Sequence, residues 1–561
     1  MKNKKGFTLV ELLAVIAILA ILVIIALPNV MGMFNSAKKS TFLTEIKKIY
    51  RGAEQEYVKD AFNSSGSKIY SKTKSGCSKQ LDMSIRDELE YFIEIDSSGK
   101  IVKFYAHDNS YQYEHEGYMT INDIVDAEDV STTTEKVTIS CDGADFVEQN
   151  VLARFITGSE LNIRMKTLAG ATNPTIETAN TNITAIVRSN TEPSEENKQS
   201  INIVSTGDST KPIYMWYDSG TIYYYSEENP SLNRDSSNTF RYLTKLSDIS
   251  GLSSFDTSHV RNFERSFYTC TSITSLEAIR NWNISKVTNM LGMFAGYGSN
   301  GMHITDLTTL SNWNTSRVTT MAGMFQNNVD LTNLDGLERW DTSKVTSMYI
   351  MFGSASDTMH IKSLKPLKNW NTSNVTDMSA MFQCNADLES LEGIENWNVS
   401  NVTNMQSMFS NIHDNMHINS LKPLSKWNTS KVTNMVAMFQ NNVEIESIEG
   451  LENWDTSNVE NFNSLFRGCS NLKEVNLSNF DMSKAKYYPG RKIGDSLVEN
   501  GADLFRGNLS NLEKIVTPES YSSDTNVYIN LPKSMYDSEG NEYTRLNSSS
   551  PKKTELISIL P

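Results

Sequence analysis

Nine copies of one short motif, an aromatic followed by Asn or Asp, any residue and Ser, fill much of the second half of this chain and restrict its fold more than any other feature. The motif begins at Phe255, Trp282, Trp313, Trp340, Trp370, Trp397, Trp427, Trp454 and Phe480, at spacings of 27, 31, 27, 30, 27, 30, 27 and 26 residues. A unit of this length cannot bury an apolar face alone, so the period predicts coils that stack and share one core. Within each unit the apolar residues keep fixed offsets, as in Val375, Met378, Met381 and Phe382, repeated at Val402, Met405, Met408 and Phe409. Those intervals predict one side of a short helix or 3-10 turn. The run that follows, Leu388, Leu391 and Ile394 for example, is expected to supply a short strand to each coil. The Asn or Asp after the aromatic and the Ser two places on are suited to bond nearby amides and close a turn.

This periodicity absorbs several constellations that would otherwise suggest chemistry. Methionines from Met290 to Met438 occupy core offsets, which favours packing over thioether metal binding. His303, His360 and His417 recur every 57 residues in Met-His-Ile triplets. Two stacked coils separate equivalent side chains by about 10 Å, too far to share one metal. The histidines therefore read as a ladder, with His413 beside His417 as the one local alternative. Cys270, Cys384 and Cys469 follow the motif phenylalanine in distant coils and read as small buried fillers. There is no phosphate-binding glycine loop, no Gly-x-Ser-x-Gly and no His-Glu-x-x-His. Residues 537–541 resemble half a calcium loop, but Ser548 stands where the closing glutamate belongs, so a hairpin turn is expected there. The chain is accordingly expected not to be an enzyme and to carry no cofactor or metal.

The other end of the chain has a different character. Phe7 to Leu27 is a 21-residue stretch, apolar except for Thr8 and Glu11. As a helix it would span about 31 Å, the thickness of a bilayer core. Lys2, Lys4 and Lys5 precede it, which keeps the N-terminus inside and places the bulk outside. The stretch is longer than the apolar region of a cleaved signal peptide, and a plain anchor explains everything except Glu11, a carboxylate inside an apolar span. Residues 1–51 carry eight basic and two acidic side chains, so the remainder holds an excess of 21 negative charges within a total of -15. Such a body repels a phosphate backbone, and no nucleic-acid partner is expected.

Lys5-Gly6-Phe7-Thr8-Leu9-Val10-Glu11 followed by Leu12-Leu13-Ala14-Val15-Ile16 resembles the cleavage and methylation segment of type IV prepilins and pseudopilins. The resemblance implies that a prepilin peptidase cuts after Gly6 and methylates Phe7. It also implies that Glu11, then the fifth residue, meets the terminal ammonium of a neighbouring subunit during assembly. Pro28 sits where pilins often carry a helix-loosening proline. Beyond it, Leu43, Ile46, Tyr50, Ala53, Tyr57 and Ala61 mark one apolar helix face, and 91–95 with 101–105 reads as a β-hairpin of a small head. Cys77 and Cys141 are a candidate disulfide of that region, which an extracellular location allows and the sequence leaves open.

Residues 212–217 and 221–225 give a second hairpin signal, rich in aromatics, which reads as a cap over the first coil in preference to a carbohydrate-stacking platform. The repeats themselves, Trp-Asn-Thr-Ser-Asn-Val-Thr-Asp-Met-Ser-Ala-Met-Phe at 370–382 for instance, resemble the BspA-like leucine-rich repeats of bacterial surface proteins. That family implies surface binding or adhesion.

The fold expected from all this is α+β. It comprises a long N-terminal transmembrane helix with a small pilin-like α/β head, then a right-handed leucine-rich-repeat solenoid with β caps. Its segments are a leader at 1–6, the helix at 7–62, the head at 63–150, a β-rich cap at 151–250, the repeats at 251–485 and a C-terminal cap at 486–561. The expected protein is single-pass in the cell membrane, processed by a prepilin peptidase and surface-displayed. It would act in adhesion or ligand binding as a minor or tip subunit of a pilus or pseudopilus. Its partners would be other pilin-like subunits, the membrane and an extracellular protein or glycan. The rival reading is a bitopic surface receptor or structural protein outside any filament. The binding face is expected on the strands, where Glu389, Ser390, Glu392 and Gly393 would stack into an acidic surface. The longer loops at 295–303, 353–360 and 410–417 are the alternative.

Overall fold

The computed structural model describes residues 37–561, except 61–65, 75, 78–79, 82, 84, 117–118, 122–123, 125–126, 130–134, 140, 142–143, 149–152, 208, 299–300, 357, 489–491, 494–495, 498–500, 506–508 and 560–561. The chain divides into two compact units, residues 1–151 and 152–561.

In the first unit, helix α1 spans 37–60. Its Phe42, Ile46, Ile49, Tyr50 and Ala53 are buried against an antiparallel sheet. That sheet is made of β1 (Lys68–Lys72), β2 (Glu90–Ile95), β3 (Ile101–His107), β4 (Tyr111–Glu116) and β5 (Glu128–Asp129), paired in that order. The β2–β3 turn closes because Asp96 Oδ1 accepts from the amides of Ser98 and Lys100 while Gly99 takes φ +86°. A separate hairpin joins β6 (Glu135–Ile139) to β7 (Ala144–Glu148). Arg86 fastens the helix to the sheet loops, reaching Glu45 at 2.6 Å and Asp108 at 2.9 Å.

The second unit opens with α2 (Gly158–Leu168), started by a reciprocal cap between Thr157 and Glu160. It lies with β8 (Ala185–Arg188), β9 (Tyr214–Asp218) and β10 (Thr221–Tyr225), in the order β8-β10-β9. In this hairpin Met215, Ile222 and Tyr224 are buried in the core, while Trp216 and Tyr223 stack at 5.6 Å. At the far end β11 (Glu474–Asn476), β14 (Lys514–Val516), β17 (Glu555–Ile557), β15 (Ile529–Tyr536) and β16 (Glu542–Leu546) form one sheet, with β12 (Lys492–Ile493) and β13 (Ser496–Leu497) as a short pair. Residues 537–541 make the β15–β16 turn, Asp537 accepting from the amides of Glu539 and Asn541.

Three features of the expected fold are corrected. The described chain is built mainly of β-strands and turns, with two α-helices, in place of the α+β arrangement. Among the described residues no helix is long and apolar enough to cross a membrane, and the expected span Phe7–Leu27 lies outside them. No right-handed leucine-rich-repeat solenoid forms either, because the repeat units contain turns where strands were expected. Successive units meet through single-residue parallel bridges, such as Ser347 with Asp377, Asp377 with Asn404 and Asn404 with Asn434. The physical reason lies in the spacing. Leu388, Leu391 and Ile394 are all buried at intervals of three, whereas an extended strand sends residues three apart to opposite faces. Gly393 adds a left-handed turn, φ +110°, at a site where a Cβ would come within 2.5 Å of the Leu364 carbonyl oxygen.

Candidate functional site

Of the residues singled out from the sequence, Gly6, Phe7 and Glu11 lie outside the described residues. Cys77 and Cys141 are joined as a disulfide, Cα atoms 5.4 Å apart, with Ser71 Oγ donating to the Cys141 carbonyl at 2.9 Å. The remaining candidate surface belongs to the repeats, and its geometry starts at the motif itself.

In every copy the Asn or Asp after the aromatic accepts, through Oδ1, from the amide of the motif serine. The distance is 3.1 Å for Asn371 with Ser373 and for Asn398 with Ser400, and 2.9 Å for Asp341 with Ser343. The residue between them is held inward: Thr372 Oγ1 donates to the Asn398 carbonyl of the next unit at 3.0 Å. Except at Trp313, the motif tryptophan donates from Nε1 to a carbonyl just before an earlier motif, Trp370 to Leu337 at 2.9 Å and Trp427 to Ile394 at 3.0 Å. From Trp313 to Trp427 consecutive rings lie 6.4 to 6.5 Å apart with planes within 1 to 6°. A parallel row of phenylalanines runs beside them, Phe352 to Phe382 at 5.9 Å and Phe382 to Phe409 at 5.7 Å. A third row is formed by threonines: Thr376 donates both its amide and its hydroxyl to the Thr346 carbonyl, and Thr403 does the same to Thr376. The units are thus registered on one another, and their exposed residues form rows along the stack.

Two rows flank the buried tryptophans. Asn281, Asn312, Asn369 and Asn396 precede the motif aromatic and are exposed, as are Asn371, Asn398 and Asn428 after it. A different edge carries charge. His303 Nδ1 lies 2.8 Å from Asp330, His360 Nδ1 3.3 Å from Asp387 and His417 Nδ1 3.7 Å from Glu444. Lys365 bonds Glu392 at 2.8 Å and Lys422 bonds Glu449 at 2.9 Å. The hydrogen bond with Glu392 holds Lys365 above the usual lysine range, and the same bond holds Glu392 below the usual carboxylate range. The expected acidic strand surface is therefore corrected twice over. It has no strands, and acids along it such as Glu392 and Glu449 pair with cations from the neighbouring unit. The histidines do not converge: among the described residues no group of three or more His, Cys, Asp or Glu is arranged to hold a metal.

The longer loops are part of the packing. Met302, Met359 and Met416 are fully buried, and each forms a bridge with an asparagine of the following unit, Asn328, Asn385 and Asn442. His413 Nε2 lies 3.1 Å from the Ala355 carbonyl, so loops of alternate units touch across the shorter unit between them.

Those three buried asparagines were not singled out from the sequence. Asn385 Nδ2 donates to the carbonyls of Phe352 at 2.9 Å and Phe382 at 3.0 Å, and Asn328 and Asn442 repeat the arrangement. Their signal is a fixed place, three residues after the motif phenylalanine. Cys270 and Cys469 occupy the same place and donate from Sγ to the Phe240 and Phe439 carbonyls, whereas Cys384 sits one residue earlier. Burial pushes the Cys270 and Cys469 thiols up to about 12, which suppresses the thiolate.

A row-forming repeat stack of this kind defines a class of proteins that offer an extended surface. Comparison with known families places the chain more closely. Its repeats match the model described as Mycoplasma protein of unknown function, DUF285, over residues 234–360, 299–416, 355–446 and 411–490, together just under half of the chain. Residues 1–27 match the prokaryotic N-terminal methylation motif, which implies a prepilin peptidase as processing partner and a pilin-like context. The chain thus carries a prepilin-type N-terminus and DUF285 repeats, a combination compatible with surface display. No curated protein and no solved structure matches it.

Proposed function

We propose that this chain is a prepilin-processed surface protein whose repeats bind an extracellular partner in adhesion, and that it serves as a minor or tip subunit beside other pilin-like subunits. The observation that carries the reading is the joining of a methylation motif at 1–27 to a repeat stack that presents registered rows of side chains. In this reading Gly6 is the cleavage residue, Phe7 becomes the methylated N-terminus and Glu11 pairs with a neighbouring subunit. The size of the chain favours a minor or tip place, since a body of 561 residues crowds a closely packed filament. We further propose that it has no catalytic role, a reading supported by the packing of its repeat cysteines and methionines into the stack and by the pairing of His303, His360 and His417 with carboxylates of the neighbouring unit.

Mass spectrometry of the N-terminus, on surface protein from cells with and without prepilin peptidase, tests the reading. The expected product starts at N-methylated Phe7 and disappears without the peptidase. A stable Met1 in both strains refutes processing and leaves a bitopic anchored protein.

A further inference from the structure

The first unit carries a piece that its main core does not hold. Strands β6 and β7 pair only with each other and stay outside the five-stranded sheet. Tyr91 and Ile93 pack in the core shared with α1, so Phe92 between them faces the other way. Tyr105 stands opposite Phe92 on β3, and both are buried. The cover over them comes from β6: Ile139 joins Phe92 and Tyr105 in a separate small core, with Ile69 packed beside it. A two-stranded hairpin is marginal by itself, and so small a core does little to offset the entropy of ordering it.

The covalent tie of this hairpin is the disulfide. Cys141 follows β6 closely, and its partner Cys77 lies in the chain between β1 and β2, 64 residues away in sequence. The Ser71 hydroxyl adds a hydrogen bond to the Cys141 carbonyl at 2.9 Å. Cys77 and Cys141 are both partly exposed, so an external thiolate can reach them, whereas Cys270, Cys384 and Cys469 are buried. The Thr73 hydroxyl lies 3.5 Å from Cys77 Sγ, placed to donate to that sulfur if it leaves.

We infer that the Cys77–Cys141 bond is a reversible latch. Closed, it holds the β6–β7 hairpin over the outer face of the sheet; a dithiol reductant opens it and releases the hairpin without unfolding the helix and sheet beneath. One thiolate of the dithiol attacks Cys141 Sγ, and the S–S electron pair leaves on Cys77, which takes a proton. The second thiol of the reductant then displaces Cys141 from the mixed disulfide. The two cysteines gain two electrons and two protons, and the dithiol ends as a disulfide. Opening bares Phe92 and Tyr105 as an apolar strip across β2 and β3. The inference goes beyond the adhesive reading and does not need it; display on an oxidising surface supplies only the condition in which the latch is closed.

The full chain in detergent is incubated with and without dithiothreitol, its thiols are alkylated under native conditions, and amide hydrogen exchange is followed by mass spectrometry. Alkylation is expected at Cys77 and Cys141 alone. Peptides over β6 and β7 should then exchange roughly tenfold faster, while those over α1 and β2 to β4 keep their protection. The double variant Cys77→Ser, Cys141→Ser should show the open pattern without reductant, and reoxidation of the reduced native chain should restore the closed one. Unchanged exchange over β6 and β7 after reduction overturns the inference, because packing alone then holds the hairpin. Loss of protection in α1 together with the hairpin also overturns it, because the bond then holds the whole unit. A bond that resists dithiothreitol in the absence of denaturant is not a latch. Each of these failures leaves the processing and display of the chain untouched.

Discussion

Asn385→Leu, a change of similar volume, tests what ties one unit to the next. Asn385 is fully buried, and its Nδ2 serves carbonyls of two successive units, Phe352 at 2.9 Å and Phe382 at 3.0 Å. Its Oδ1 accepts the Ile361 amide at 3.1 Å. Leucine strands all three backbone groups inside the core, each at a cost of about 1–3 kcal/mol. Burial of its apolar side chain returns about 1.5–3 kcal/mol. The net expectation is a loss of about 3 kcal/mol. Asn385→Cys should cost less, about 1 kcal/mol, because Cys270 and Cys469 already occupy this place and keep one carbonyl partnered. Urea unfolding of the full chain in detergent, followed by tryptophan emission, should rank the midpoints native, cysteine, leucine. Stacked repeats unfold in more than one step, so midpoints are compared and slopes are not. A leucine variant as resistant as the native chain would show that the buried amide does not bind the units together.

Lys166 is fully buried, with its ammonium donating to the Thr175 and Ile176 carbonyls; burial lowers its pKa to about 8, with the Cys270 thiol and the charged Arg241 and Glu177 nearby. Because the folded value lies below the ordinary one, the folded chain holds fewer protons between them, so stability should rise with pH from about 8 to about 10.5, by an amount on the order of 3 kcal/mol. Lys166→Met should flatten that slope in melting curves taken across this range, and an unchanged slope refutes the assignment. Replacing Gly6 by a bulky residue should leave uncleaved precursor in the membrane, read by N-terminal mass spectrometry; normal processing would exclude Gly6 as the cleavage residue. Glu11→Val should preserve membrane insertion, since it removes a charge from an apolar span, while lowering recovery in sheared filaments; equal recovery would deny it an assembly role. Trimming the loops at 295–303, 353–360 and 410–417 to the 27-residue unit should lower the melting temperature, because it removes Met302, Met359 and Met416 from the core; a trimmed chain that melts like the native one would show these loops to be accessory.

The repeat boundaries and the core offsets were legible because each motif residue does one local job that spacing reveals. The Asx turn of Asn371 with Ser373 follows from residue type and separation alone, and Met378, Met381 and Phe382 are buried as their recurrence requires. What the spacing hid was the backbone between those points. The run Leu388, Leu391, Ile394 was read as a strand on leucine content, although its interval of three already argues for turns. The pairing of Lys365 with Glu392 was hidden for another reason: the partners are 27 residues apart and meet only once units are stacked. The unpartnered Asn369 and Asn396 look in sequence like ordinary surface residues. Their distinction, exposure without a bond, exists only in three dimensions.

The alternation of shorter and longer units makes 57 residues the true period, and this decides which edge is left to meet a partner. Longer units bring the cations, His360 with Lys362 and Lys365, and shorter units bring the anions, Asp387 with Glu389 and Glu392. Stacked alternately, Lys365 meets Glu392 at 2.8 Å and Lys362 meets Asp387 at 3.8 Å. Exposed pairs of this kind add little to stability. They do cancel the field that a row of acids would project, so this edge has little means to steer a cationic ligand despite the acidic composition of the chain. The tryptophan edge differs at each of these points. The Asn or Asp after each aromatic is fixed there by a turn that the fold needs in any case, while the position before it varies, Asn369 and Asn396 giving way to Arg339 and Lys426 elsewhere in the stack.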